Sequence, residues 1–273
     1  MRIGGHWVHD FDPVLLHFPS SWLIPGIYWY GFAYVLTFLA IALLLDLYGR
    51  QGRLPFPRQQ SGPFLTYLLL GTVIGGRIGY ALLYGIPGFW SNPLELLRVW
   101  HGGMASHGGF CGVLAALILF SRNRAIPLRP LADVASSLAP IGFFLGRIAN
   151  FINGEVYGRI SSLPWAIIFP QSMPGLPLER IPPRHPSQLY EALLEGLLLF
   201  FFCQLRFWRR PPLRPGRLCG EFLLTYALLR FAVEFFREPD ASLIFGISRG
   251  QFYSLALLLG SMFFLRVPRE PTE

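Results

Sequence analysis

The chain contains no lysine: all 23 of its basic residues are arginine. Charge of either sign is scarce, at 14% of 273 residues, where a soluble domain carries roughly 25%. With 53% hydrophobic residues there are too few polar side chains to cover a globular surface in water. Cysteine is also rare. Cys111, Cys203 and Cys219 lie in or beside apolar stretches, are odd in number and lack metal-ligand spacing. That pattern argues against a disulfide framework and leaves them as packing residues. The missing lysine carries no functional weight. A net charge of +8 and a pI near 9.8 raise nucleic acid as a partner. The arginines, however, are scattered between apolar runs and form no basic stripe. Anionic membrane lipid is the better partner, with no nucleic acid.

What the chain does have is long apolar runs. A helix that crosses a bilayer needs about 20 mostly apolar residues. Seven segments read as such helices, at 27–48, 64–85, 104–121, 131–152, 188–207, 218–236 and 250–266. The expected fold is all-α: a single polytopic transmembrane bundle over 1–273 with about seven spans. The third segment is short and starts among glycines, so it reads as a broken or re-entrant helix. The connection 153–186 is rich in Pro and Gly and reads as a small extramembrane cap between the fourth and fifth spans. Residues 1–21 lack the basic-then-apolar pattern of a cleaved signal peptide, so the first span is expected to act as its own insertion signal.

Arginines in the connections set the orientation. One set of alternate connections holds thirteen: Arg50, Arg53, Arg58, Arg122, Arg124, Arg129, five from Arg206 to Arg217, Arg266 and Arg269. The opposite side holds seven: Arg2, Arg98, Arg159, Arg180, Arg184, Arg237 and Arg249. The positive-inside rule places the C-terminus in the cytoplasm, with the N-terminus and the cap outside. Arg77, Arg147 and Arg230 then remain within or at the edge of spans. A mid-bilayer arginine costs on the order of 3 kcal/mol, so such residues face a polar interior or a ligand. A buried ion pair that only locks helices together is the competing reading.

Three constellations surround these cations. Gly146 to Arg159 begins as a span and ends in glycine-punctuated backbone. Arg147 and Asn150 share a helix face there, Asn153 and Gly154 end the helix, and Glu155 lies about a turn beyond. Arg and Asn side chains gathered at a membrane edge suit a phosphate-bearing ligand. The second, His101 to Gly109, sets His107 between two Gly-Gly pairs. His107 reads either as a general base or as a hydrogen-bonded structural histidine. The third places Tyr226, Arg230, Glu234 and Arg237 on one continuous helix face. Weaker signals are Arg184 to Glu191 at the start of a span, Gly71, Gly75 and Gly79 at four-residue spacing, and an aromatic belt at Tyr28, Trp29 and Tyr30.

Five of these stretches, in order, resemble one family. They are GGRIGY (Gly75–Tyr80), GGMASHGG around His107, GRIANFINGEVYGR (Gly146–Arg159), HPSQLYE (His185–Glu191) and EFFREPD (Glu234–Asp240). Together they resemble the bacterial prolipoprotein diacylglyceryl transferases over nearly the whole chain. Ala105-Ser106 departs from the Ser-Phe of many members. The resemblance implies a seven-helix inner-membrane enzyme that moves the diacylglyceryl group of phosphatidylglycerol onto the lipobox cysteine of a prolipoprotein signal peptide. Glycerol phosphate leaves. It further implies that the family's important positions fall on Tyr30, His107, Arg147, Asn150, Glu155, Gly158, Tyr226, Arg230 and Glu234. On that basis Arg147 and Arg230 would stabilise the leaving phosphate, with Tyr226 assisting, and His107 would take the thiol proton, with Glu155 or Glu234 acting through it. Asn150, Gly158, Tyr30, Glu234, Arg237 and Arg77 would bind substrate. The chemistry calls for no metal and no organic cofactor. A transporter for an anionic solute is the rival class; no internal repeat supports it. A structural subunit of a membrane complex would leave the polar motifs unexplained.

Overall fold

The computed structural model describes residues 1–19, 21–22, 26–84, 103–239, 243 and 245–266. Seven helices occupy the expected segments among the described residues: α1 (Trp29–Arg50), α2 (Ser61–Tyr84), α3 (Ser106–Arg124), α4 (Leu128–Ile152), α5 (Ser187–Phe207), α6 (Arg217–Val233) and α7 (Arg249–Leu265). Among the described residues, four candidate spans are long and apolar enough to cross a membrane: α1, α4, α5 and the segment Arg58–Leu82 that contains most of α2. At 17 residues each, α6 and α7 reach about 26 Å, short of a hydrocarbon core of roughly 30 Å.

The chain divides into two compact units, Met1–Thr37 with Ala135–Glu273, and Phe38–Val134. In the second unit α2 and α3 meet backbone to backbone. A Cβ on Gly75 would run into the Gly108 carbonyl, and one on Gly79 into the Gly108 Cα; Gly71 faces the Gly112 carbonyl in the same way. Small residues at this spacing let helices approach without a side chain between them. Ser106–Arg124 is one continuous helix, with Gly108 and Gly112 spent on this packing. One end of this pair is closed by Phe56, Phe64, Tyr67 and Phe120, with ring centroids 5.1–5.6 Å apart. Arg77 is buried and donates from Nη1 to the Gly103 carbonyl at 3.0 Å, and the Ala105 amide donates to the Gly76 carbonyl at 3.0 Å. These bonds shape the turn just before His107, where Gly103 takes φ +81°.

In the first unit Leu199, Cys203, Leu218 and Phe222 form a buried core, with Phe143 and Tyr226 packed against it. All three cysteines are free thiols. Strands interrupt the all-α expectation. Strands β1 (Arg2–Ile3) and β2 (His6–Val8) pair antiparallel, and β5 (Ile167–Ile168) joins β2 in parallel. Strands β3 (Val14–His17) and β4 (Gly26–Tyr28) make a separate antiparallel hairpin. The N-terminal segment thus pairs with residues 167–168, inside the stretch 153–186.

Candidate active site

α4 ends at Ile152, and Gly154 at φ +67° turns the chain away from it. That left-handed position is one glycine fills without a Cβ penalty. The turn brings Glu155 back toward the helix: Asn150 Nδ2 donates to Glu155 Oε1 at 2.9 Å, and Asn153 Nδ2 to the same oxygen at 3.2 Å. Arg147 Nη1 reaches Asn150 Oδ1 at 3.4 Å. Tyr30 hydrogen-bonds Asn150 and its own-helix neighbour Tyr34. This cluster runs from buried Asn150 to exposed Glu155.

α5 supplies what sequence reading missed. Glu191 and Glu195 are both buried and both face the arginines. Glu191 Oε2 lies 2.5 Å from Arg147 Nε, while its Oε1 lies 3.1 Å from Arg230 Nη1 and 3.2 Å from Arg237 Nη1. Glu195 stands 3.4 Å from Arg230 Nη1 and 3.9 Å from Arg147 Nη2. Glu234 completes the set at 2.8 Å from Arg230 Nη2. A Cβ on Gly250 would run into the Glu234 carboxylate, so α7 leaves the space it occupies. Three guanidiniums thus meet three buried carboxylates, and Tyr226 feels the same charges. The signal was present in the sequence as two glutamates four apart inside an apolar span. Residues Ala192–Leu198 of α5 are π-helical, a wider turn that is frequent at functional sites.

The arrangement adds to the expected one in one respect and departs from it in another. Arg147 and Arg230 were expected to draw polar neighbours from their own helix faces. Asn150 and Glu234 are such neighbours, and α5 adds Glu191 and Glu195 as charge partners that both arginines share. Tyr226, Arg230, Glu234 and Arg237 do not lie on one continuous helix. α6 stops at Val233, three-residue turns follow, and Arg237 pairs with Gly158 in an isolated bridge. Arg237 is nonetheless buried against Glu191.

Gly158 is enclosed by backbone. A Cβ there would lie 2.5 Å from the Phe236 carbonyl oxygen and 2.6 Å from the His185 Cβ. Arg184, counted above among connection arginines, is also buried, donating to the Gly158 carbonyl and to Glu238, each at 3.2 Å. Gln188 Nε2 donates to the Glu155 carbonyl at 2.7 Å, so the start of α5 is tied to the turn after α4. Burial lowers the pKa of His185, whose Nδ1 lies 3.2 Å from the Tyr190 hydroxyl. Of the expected site residues, Tyr30, Arg147, Asn150, Glu155, Gly158, Tyr226, Arg230, Glu234 and Arg237 fall in the first unit. His107 and Arg77 belong to the second, with His107 exposed at the second position of α3. Asp240, in the last of the five motifs, lies outside the described residues.

Known proteins carry the same sequence pattern. The family described as Prolipoprotein diacylglyceryl transferase matches residues 19–267. A phosphatidylglycerol–prolipoprotein diacylglyceryl transferase of Rhodospirillum rubrum is 42% identical over 266 residues, covering 95% of this chain and 93% of the relative. The protein of that name in Rhizobium meliloti is 44% identical over 261 residues, 92% of this chain and 87% of its own. The one in Idiomarina loihiensis is 41% identical over 275 residues, 99% and 98% of the two chains.

Proposed function

The chain therefore belongs to the prolipoprotein diacylglyceryl transferase family, and from that premise we propose that it performs the first step of bacterial lipoprotein maturation. The diacylglyceryl group of phosphatidylglycerol passes to the thiol of the lipobox cysteine. The cysteine Sγ forms a bond to the glyceryl carbon as that carbon's bond to the phosphate oxygen breaks. Glycerol phosphate leaves with the electron pair, and the thiol proton goes to a base. The match over residues 19–267 carries this reading.

The charge cluster supplies the chemistry. Negative charge develops on the departing phosphate, so donors already fixed in place lower the barrier most. Glu191 and Glu195 hold Arg147 and Arg230 rigid before substrate arrives. The Arg147 side chain keeps 22% of its surface open, against 12% for Arg230, and so meets the head group first. Asn150, Tyr226 and Tyr30 add donors around it. Glu234 and Arg237 complete the substrate-binding wall, and Gly158 keeps it compact. His107 takes the thiol proton, and Arg77 holds the turn that precedes it. The substrates are phosphatidylglycerol, prolipoprotein signal peptides and the surrounding membrane lipid.

In this reading the chain is one transmembrane domain of seven spans in the inner membrane. Residues 153–186 and the N-terminus are periplasmic, and the C-terminus is cytoplasmic. The test is purified protein with labelled phosphatidylglycerol and a lipobox peptide. Label bound to the peptide through a thioether is the expected result. Solute flux without transfer would replace the enzyme by a transporter.

A further inference from the structure

His9 lies outside every motif singled out above, yet it is 1% exposed and touches the end of α4. Its Nε2 is 2.6 Å from the Phe151 carbonyl oxygen. A carbonyl only accepts, so Nε2 carries the proton and Nδ1 is the bare nitrogen. Nδ1 is buried and has no hydrogen-bond partner among the described residues. The ring is enclosed by Trp7, Phe11, Phe151 and Phe169, at centroid distances of 5.3–5.9 Å. The backbone is fixed as well, since the His9 amide donates to the Ile168 carbonyl at 2.9 Å.

Phe151 stands beside Asn150. Its carbonyl accepts from the Gly154 amide at 3.0 Å, and the Glu155 amide donates to the Asn150 carbonyl at 3.1 Å. These bonds define the turn that places the Glu155 carboxylate on Asn150. His9 adds a second donor to the same carbonyl from a segment more than a hundred residues away in sequence. We propose that His9 is a positioning residue: its neutral imidazole clamps the turn from Asn150 to Glu155 and thereby aligns Asn150 with Arg147. This inference rests on the reading of Asn150 and Glu155 as substrate-handling groups.

Protonation would leave the Nε2 donor in place but strain its setting. A second proton would place an N–H on Nδ1 among aromatic rings with no acceptor, and a charge in a dry pocket. Burial accordingly lowers the His9 pKa from 6.5. The Phe151 carbonyl, which accepts from Nε2, opposes this most, followed by Asp10 on the same segment as His9; the rings of Phe151 and Phe169 bring no charge. A base whose folded pKa is lowered keeps its full contribution above the unfolded value and loses it as pH falls through the folded one. Folded His9 therefore gains its second proton only at a pH below its ordinary value of 6.5.

The test compares wild-type protein with His9→Phe and His9→Gln in the peptide transfer assay from pH 8 to pH 5. Phe fills the aromatic cage and cannot donate. Gln donates from Nε2 and does not titrate. His9→Phe is expected to lose about tenfold or more in kcat at pH 8, the scale of a small misplacement, with KM little changed. His9→Gln is expected to retain most activity, because it keeps a donor to the Phe151 carbonyl. A His9→Phe enzyme as fast as wild type overturns the proposal. So does a His9→Gln enzyme that has lost tenfold or more in kcat, a readout that holds even where the Phe variant fails to fold. Wild-type protein that transfers no lipid at any pH is a separate result: it removes the transferase reading and takes this inference with it.

Discussion

Glu191 meets three guanidiniums with two oxygens and has no solvent contact. Removing one member of such a set leaves its partners charged and unpaired, which costs about 3–5 kcal/mol. Glu191→Gln is therefore expected to lower the thermal midpoint in detergent sharply and abolish transfer; a midpoint within a degree of wild type would show that the arginines find other partners. Arg147→Ala mixes the same structural loss with any chemical one. Arg147→Lys separates them, because lysine keeps the charge and loses the planar fork. We expect a drop of about a hundredfold or more in kcat with a folded, membrane-inserted protein. Near-normal turnover would remove Arg147 from the phosphate role.

At the scale of elements, the contact of α2 with α3 is a backbone contact, and its tolerance should differ by position. Gly75 has no room for a Cβ, whereas the nearest atom to one on Gly109 is 3.9 Å away. Gly75→Val is expected to force the helices apart at a cost of about 3 kcal/mol or more, as overpacking does. Gly109→Ala should be near neutral. Equal thermal midpoints for the two variants would mean that the glycine seam is not the true contact. The π-helical stretch of α5 belongs to the same scale. It lies where Glu195 must face the arginines of α4 and α6 while Gly196 packs on Phe144.

For the whole molecule, the arginine bias of alternate connections predicts which surfaces face the periplasm. Cysteine labelling checks it directly once Cys111, Cys203 and Cys219 are replaced by Ala. Leu176→Cys, on an exposed part of the cap, should react with a membrane-impermeant maleimide in intact spheroplasts. Arg210→Cys, in the connection between α5 and α6, should react only after permeabilisation. The reverse pattern would invert the topology. Reaction of both in sealed cells would contradict a membrane between them.

The sequence alone determined the helices, because an apolar run of span length has few other solutions and its periodicity needs no partner to be read. It also determined that α4 ends just before Gly154 and that Asn150 meets both Arg147 and Glu155, since residues three to five apart meet by local geometry. Only the tertiary structure decided which carboxylates answer the buried arginines. Glu191 and Glu195 lie more than forty residues from Arg147 in sequence, and an ion pair across helices leaves no spacing rule. The same holds for the strand that joins the N-terminal segment to residues 167–168, and for His9 on the Phe151 carbonyl. Buried charge must be compensated and buried backbone must be paired. The sequence poses those demands, and the folded chain selects the groups that meet them.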